Sequence, residues 1–600
     1  MAKPEPIENH GIVGDLHTIA LVALDGTVDF FCFPRFDSPS VFAALLDQER
    51  GGHFRISPEL NGSKHRQLYL PNSNVLLTRI LSSEGVAEIS DFMPVEEATN
   101  AHNLVRRVKS VRGDINFRME CAPRFNYARS KHRCERQGND VIFTSEGPDH
   151  TVLRLHSSVP LRVENGDAIA EFHLHVNENA SFVLEDGAQC QGCNAHDFVS
   201  ESFKQTLNYW RRWIGHCKYK GRWQEIVMRS ALTLKLLVSQ PHGSLVAAPT
   251  FGLPEVPGGS RNWDYRYTWI RDAAFTIYAL MRLGYTEEAG AFNRWVEQRC
   301  HEVTEGASLQ IMYGIDGRHD LTEQTLDHFS GYGGARPVRI GNGAYDQLQL
   351  DILGELMDSI YLYDKWGEPI SHALWRSLCP LLDWVCDHWQ EPDEGIWETR
   401  EGAQKFLYSR FMCWVALDRG IRMARHRSFP APLAKWIEVR DHIFKEVHTA
   451  FWNKDLQAFV QRAGSTTVDA STLLMPLIKF IGPTDPQWLS TLKLIRERLV
   501  DDSLVHRYDR GDGTAFAEAS REGTFNMCTF WYVECLARGG DPQQARYVFE
   551  KMLGYGNHLG LFGEETGMTG EQLGNFPQAF THLGLISAAY ALDRSLNTDS

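Results

Sequence analysis

DFVSESFKQTLNYWRRWIGHC, residues 197–217, is where the chain changes its period. Phe198, Phe203, Leu207, Trp210 and Trp213 recur at roughly helical spacing. Upstream the pattern is that of strands. TIALVALDGTVDFFCF (18–33) has two apolar runs joined at Asp25-Gly26, a hairpin-type turn signal. NVLLTRILSSEGVAEISDFMPV (74–95) repeats that design around Gly85. HTVLRLHSSVPLRVENGDAIAEFHLHVN (150–177) alternates apolar and polar residues around Asn165-Gly166. Many short strands with turn signals predict an antiparallel β-sandwich over residues 1–197. Downstream the pattern stays helical, as in RWQEIVMRSALTLKLLVSQ (222–240), LQLDILGELMDSIYLYDKWG (348–367) and FTHLGLISAAYALDRSL (580–596). Gly- and Pro-rich loops separate these helices, such as PTFGLPEVPGGSRNWD (249–264) and HFSGYGGARPVRIGNG (328–343). Residues 198–220 therefore read as a linker helix. Residues 221–600 read as a toroid of α-hairpins whose long loops gather at one mouth, where loops of this kind carry function. No short sequence repeat makes this region a solenoid.

At 600 residues the chain exceeds what one hydrophobic core usually serves, in agreement with two domains. The 61 Lys and Arg against 76 Asp and Glu leave a formal charge of −15. An acidic surface argues against nucleic acid or an anionic membrane as the main partner and does not oppose a neutral substrate such as a sugar. MAKPEPIENHG at the start lacks the apolar core of a signal peptide, and no stretch approaches the ~20 apolar residues of a membrane span. A cytoplasmic location is expected. Of the 12 cysteines, only Cys190 and Cys193 in CQGC form a close pair; His196 is near, but no fourth ligand is evident. The sequence has no HExxH, no P-loop and no GxGxxG opening a helix. No metal or cofactor is expected.

Four loops stand out. GIWETR (395–400) sets Trp397 directly against Glu398. An indole that keeps water from a carboxyl raises its pKa, and an acid still protonated near neutral pH can donate to a leaving group. The same pair also fits a surface glutamate beside a half-buried tryptophan. RNWDYRYTWIRDAAF (261–275) alternates Trp263, Tyr265, Tyr267 and Trp269 with polar residues up to Arg271-Asp272. Aromatic faces suit the apolar faces of a sugar ring, and a charged pair beside them can bind vicinal hydroxyls; an aromatic core corner with a capped helix is the alternative. ARPVRIGNGAYDQLQLDILGE (335–355) crowds Tyr345, Gln347, Gln349 and Asp351 at a helix mouth, as caps or as ligands. GLFGEETGMTGEQLGNFPQAFTH (560–582) carries Glu564-Glu565 in a Gly-rich loop before the last helix. Two carboxyl groups on loops of one mouth, with an aromatic saddle between them, satisfy glycoside hydrolysis, one as acid and the other as base or nucleophile.

At these loops the sequence resembles glycoside hydrolase family 15, the glucoamylase-like enzymes that include glucoamylases, glucodextranases, isomaltose glucohydrolases and a group of trehalases. The resemblance runs almost the whole length. DLHTIALVALDGTVDFFCFPRFDSPSVFAALLD resembles the opening of prokaryotic members, and YTWIRDAA, GNGAYDQLQLD, GIWE and GEQLGNFPQAFTHLGLI resemble the catalytic blocks. It implies an N-terminal β-sandwich joined to an (α/α)6 barrel, and an exo-acting hydrolase that inverts, releasing β-D-glucose from the non-reducing end of an α-glucoside. It implies Glu398 as general acid, shielded and oriented by Trp397, and Glu564 as general base; polar loop neighbours are expected to help Glu564 stay ionised. Glu565 is the alternative at the base position or a substrate contact. Trp269, Arg271 and Asp272 match the innermost glucose-binding motif. With no secretion signal and no starch-binding module seen, short soluble glucosides are the expected substrates. An inverting α-glucoside phosphorylase of the same architecture, or a glucan-binding protein without activity, are the competing readings. Retention of both carboxyls counts against each.

Overall fold

The computed structural model describes residues 4–95, 101–187, 195–303, 308–399, 402–509 and 522–598. The CQGC pair lies outside them. Two antiparallel eight-stranded sheets form the N-terminal unit. The three turn signals each join paired strands. Ile19–Ala23 pairs with Val28–Cys32 across Asp25-Gly26, Leu76–Leu81 with Val86–Phe92 across Gly85, and Arg162–Glu164 with Asp167–Leu174 across Asn165-Gly166. At the last of these Asn165 (φ 54°) and Gly166 (φ 88°) both adopt left-handed conformations, as a two-residue hairpin turn demands. Leu76–Leu81 and Val152–Ser157 alternate buried and partly exposed residues, which places one face of their sheet in the sandwich core. By contrast His10–Gly14, Ile19–Ala23 and Val28–Cys32 are buried along their whole length. Their outer face abuts the helical domain: a Cβ on Gly11 would lie 2.9 Å from Leu559, and one on Gly14 3.3 Å from Leu236. A strand covered on both sides reads as a continuous apolar run.

The helix Ala195–Ile214 bridges the two units. Phe203 packs edge-on to Phe92 of the sandwich, while Trp213 stacks on Tyr285 of the helical domain at 4.0 Å between ring centres. The helical domain alternates outer and inner helices. The outer ones are Gln224–Leu237, Thr286–Glu302, His372–His388, Leu433–Ala450, Pro486–Leu499 and Pro542–Leu553. The inner ones are Asp272–Leu283, Asp351–Trp366, Leu407–Arg427, a short 3-10 and α turn over Ala470–Leu477, Asn526–Arg538 and Ala579–Thr598. Each inner helix packs on the next and the last returns to the first, closing an (α/α)6 barrel. Burial separates the two rings. Every residue from Asn526 to Ala537 is buried, whereas Leu433–Ala450 buries only Trp436, Ile443 and Val447. Among the described residues no helix is long and apolar enough to cross a membrane.

Candidate active site

A cavity of about 320 Å³ opens at the end of the barrel where the inner helices begin. Its wall comes from the loops that enter those helices: Trp269 and Arg271 before Asp272–Leu283, Asn342 and Ala344 before Asp351–Trp366, Ile396–Thr399 before Leu407–Arg427, Arg507 and Phe525 before Asn526–Arg538, and Glu564 and Gln578 before Ala579–Thr598. The chain thus returns to one mouth after five of its six outer helices, gathering groups that lie hundreds of residues apart.

The segment 263–269 runs extended beside 247–252. Backbone N–H groups of Ala247, Ala248 and Gly252 donate to the carbonyls of Tyr267, Tyr265 and Trp263 at 3.0 Å. Trp263, Tyr265 and Trp269 lie in the cavity wall and Asp264 and Arg266 behind it, while Tyr267 breaks the alternation, its hydroxyl donating to Asp264 Oδ2 at 3.3 Å. Arg271 and Asp272 follow. Arg271 Nη1 donates to the carbonyl of Ile396 at 2.7 Å and lies 3.3 Å from Glu398 Oε1. Asp272 Oδ1 is 3.6 Å from Arg271 Nε. Burial raises Asp272 to about 6, against the pull of Arg271.

Glu398 has φ 53°, a left-handed conformation that costs a β-carbon residue energy and that structures retain where the surroundings over-determine it. Gly395 turns the same way two residues before Trp397, and Glu398 N–H donates back to its carbonyl at 3.1 Å. The turn presents Glu398 to the cavity, where Trp269 Nε1 donates to Oε1 at 2.7 Å. The indole that engages Glu398 is therefore Trp269. Trp397 also lines the cavity, but its N–H donates away to Asp469 Oδ2 at 2.8 Å. This corrects the expectation that the sequence neighbour orients Glu398: the Trp397 N–H is engaged by Asp469, and Trp269 supplies the donor.

Glu564 lines the same cavity and accepts from Tyr265 Oη at 2.6 Å. Its carboxylate lies so close to Gly574 that a Cβ there would come within 2.4 Å of Oε2, which that glycine (φ 71°) alone avoids. Complete burial and the nearby Glu255 carboxylate push Glu564 up to about 8, opposed by the Tyr265 hydroxyl and the Arg507 charge. The expectation of polar neighbours keeping Glu564 in the ordinary carboxylate range is not met. The loop that looks polar in sequence is buried in the fold, because Glu564 to Thr566 lead into a small three-stranded sheet with Thr524–Phe525 and Gln572–Leu573.

Glu565, next in sequence, is not part of the cavity wall. It is fully buried, accepts from Gly523 N–H at 3.1 Å, and joins Glu255 and Glu522 in a carboxylate cluster whose oxygens lie within 4.8 Å of one another. Three carboxylates are a donor set for a hard cation, but arginines meet their charge here. Arg507 bonds Glu255 at 2.6 Å and Glu522 at 2.5 Å, and Arg261 bonds Glu522 at 2.8 Å. Glu255, Arg261, Arg339 and Arg507 also line the cavity; the first three lie in loops that the sequence marks without marking these side chains, and Arg507 lies in none of them. Of the polar residues at 345–351, none reaches the wall. Gln349 donates to Gln347 at 3.3 Å, and Asp351 is wholly buried, pushed up to about 7 by burial and the Asp393 carboxylate.

A family model for glycosyl hydrolases family 15 matches residues 221–590. The chain belongs to that family. Residues 2–191 match a second model, the trehalase-like N-terminal domain. The family 15 chain is 37% identical over 98% of its length to a trehalase of Mycolicibacterium smegmatis, of which it covers 92%. It is 36% identical, again over 98% of its length, to a trehalase of Thermoplasma volcanium, covering 94% of that protein. The crystal structure of a bacterial glucoamylase complexed with acarbose superposes with a TM-score of 0.74 at 13% identity, covering 98% of this chain and 95% of the other, and shares the fold. This family 15 protein is a glycoside hydrolase with an N-terminal β-sandwich and an (α/α)6 barrel.

Proposed function

We propose that the enzyme hydrolyses α,α-trehalose with inversion, using Glu398 as general acid and Glu564 as general base. The observation that carries this is the pairing of two carboxyls in the wall of one small cavity, each held by its own aromatic donor, Trp269 on one and Tyr265 on the other. Trp269, Arg271 and Asp272 hold the glucose whose anomeric carbon reacts. Glu564 takes a proton from water, the water oxygen bonds to C1 from the β face, the C1–O bond breaks, and Glu398 delivers its proton to the departing oxygen. The cavity, about 320 Å³, lies near the lower end of the ~300–1,000 Å³ of small-molecule sites, which suits a disaccharide over a polymer. The trehalase names of relatives aligned over nearly the whole chain, sandwich included, favour trehalose among α-glucosides.

The decisive experiment is NMR of fresh product from trehalose in ¹⁸O-water. The leaving glucose keeps its α configuration, so inversion yields α- and β-glucose in equal amounts, with the label only in the β anomer. Two α anomers would mean retention and would remove Glu564 as base. Glucose 1-phosphate formed in phosphate buffer would mean phosphorolysis. Turnover of maltose or isomaltose without trehalose would remove the substrate assignment alone.

A further inference from the structure

We propose that Arg266 is a positioning residue through which the N-terminal sandwich holds the cavity wall, and with it the Tyr265–Glu564 contact, in register. Trp263, Tyr265 and Trp269 face the cavity, and the residues between them face the opposite way. There Arg266 is completely buried. It bonds Asp264 through Nε at 2.8 Å and through Nη2 at 2.6 Å. Its other contacts belong to the sandwich: Nη1 donates to the carbonyl of Ser38 at 2.8 Å and to Cys32 Sγ at 3.4 Å, and Nη2 to Tyr127 Oη at 3.1 Å. The guanidinium also lies 4.5 Å from the centre of the Phe251 ring and 5.5 Å from that of Tyr127. Asp264 carries the link onward, accepting from Gly341 N–H at 3.1 Å through Oδ2, while its carbonyl accepts from Asn342 Nδ2 at 3.4 Å. One buried ion pair thus joins the sandwich, the wall segment and the GNG turn. A fully desolvated charge is stable only with each of its donors matched, so this point tolerates little displacement. A planar guanidinium with donors fixed in a fork transmits that rigidity, and a lysine cannot reproduce it.

Arg266 touches neither cavity nor substrate, so it acts through Tyr265, one residue away. The inference rests on Glu564 as general base. Glu564 faces Tyr265, Glu255 and Arg507, with Glu565 beside it. A hydrogen bond to the ionised form favours that form. Displacing Tyr265 therefore raises the Glu564 pKa and moves the acid limb of the kcat/KM profile to higher pH, and a change in global stability alone leaves that limb in place. The experiment compares Tyr265→Phe, Arg266→Lys and the double variant on trehalose across pH. A misplaced catalytic contact costs on the order of 10- to 100-fold in kcat. The expected result is such a fall in Arg266→Lys, an acid limb shifted upward as in Tyr265→Phe, and a double variant no worse than Tyr265→Phe. If Tyr265→Phe moves the limb while Arg266→Lys leaves it unmoved, or the two losses multiply, the positioning role is wrong. If Tyr265→Phe itself leaves the limb unmoved, the base assignment fails and takes this inference with it. Should Arg266→Lys not fold, Tyr127→Phe, which removes one acceptor from the sandwich side, replaces it in the same comparison and is judged by the same outcomes.

Discussion

Trp269 Nε1 donates to Glu398 Oε1 at 2.7 Å across 129 residues of sequence, while Trp397, adjacent to Glu398, donates to Asp469. A hydrogen bond to a charged group is worth ~1.5–3 kcal/mol, or roughly 10- to 100-fold. Trp269→Phe is expected to lower kcat/KM on trehalose by that factor with little change in Tm. Trp397→Phe, which leaves the buried Asp469 Oδ2 with Gln461 Nε2 (2.8 Å) as its remaining side-chain donor, is expected to lower Tm more than it lowers kcat. The reverse ranking would return the orienting role to Trp397.

Glu398→Gln keeps the shape and removes the proton. General acid catalysis contributes typically ~10²–10⁴-fold, so kcat on trehalose should fall that far. α-Glucosyl fluoride, whose leaving group needs no proton, should lose much less. Equal loss on both substrates would show that Glu398 is not the proposed acid.

The Glu564 pKa near 8 places the acid limb of kcat/KM well above the ordinary glutamate value of ~4.3. The base works ionised, so activity rises with pH through that value. Glu255 raises it by like charge and Arg507 lowers it. Glu255→Gln removes the repulsion and is expected to shift the limb to lower pH. A limb near pH 4 in the wild type, or an upward shift in the variant, contradicts this electrostatic account.

Asp272→Asn leaves Arg271 facing a neutral amide in a buried position. Loss of a buried partner costs ~1–3 kcal/mol, so kcat/KM should drop by about tenfold or more while circular dichroism and Tm stay close to wild type. A variant that is fully active, or that loses activity only in step with early melting, would deny Asp272 the sugar contact.

His582 lies on the last helix beneath the Glu564 loop. Phe562 N–H donates to its Nε2 at 3.3 Å and Ser230 Oγ sits 3.0 Å from Nδ1, so the ring is held neutral. Burial, with Arg229 nearby, lowers its pKa to about 3. Below its ordinary pKa of ~6.5 the unfolded chain binds a proton that the folded chain refuses, so stability falls as pH drops from there toward 3. Between pH 7 and 5 the wild type should lose about 2 kcal/mol more than His582→Gln. Denaturant titrations at the two pH values check this, and parallel losses would show that His582 titrates freely.

Much of the architecture is local in origin and was legible as such. Gly26 and the Asn165-Gly166 pair sit in left-handed backbone, and each turn joins two antiparallel strands of one sheet. The shift to helical spacing after residue 197 marks the bridging helix, since Phe203 and Trp213 serve two different cores. The GIWETR and GLFGEETG loops likewise mark themselves as carriers of carboxyls by residue type. What no local pattern carries is direction and charge environment. Whether Trp397 or Trp269 meets Glu398 depends on Asp469, which engages the Trp397 N–H and leaves Trp269 to supply the donor. Whether Glu564 or Glu565 enters the cavity depends on the strand Glu565–Thr566, in which Glu565 is turned to Gly523 while Glu564, just before it, lines the cavity. The upward shift of Glu564 depends on Glu255, more than three hundred residues away in the chain, and on burial that closes only when the barrel does. Hydrophobic period and turn chemistry act between neighbours, so the sequence alone determined the two domains and the loops that matter. Coulomb fields, desolvation and side-chain aim act through space, so only the tertiary structure decided which groups those loops bring together and how each of them titrates.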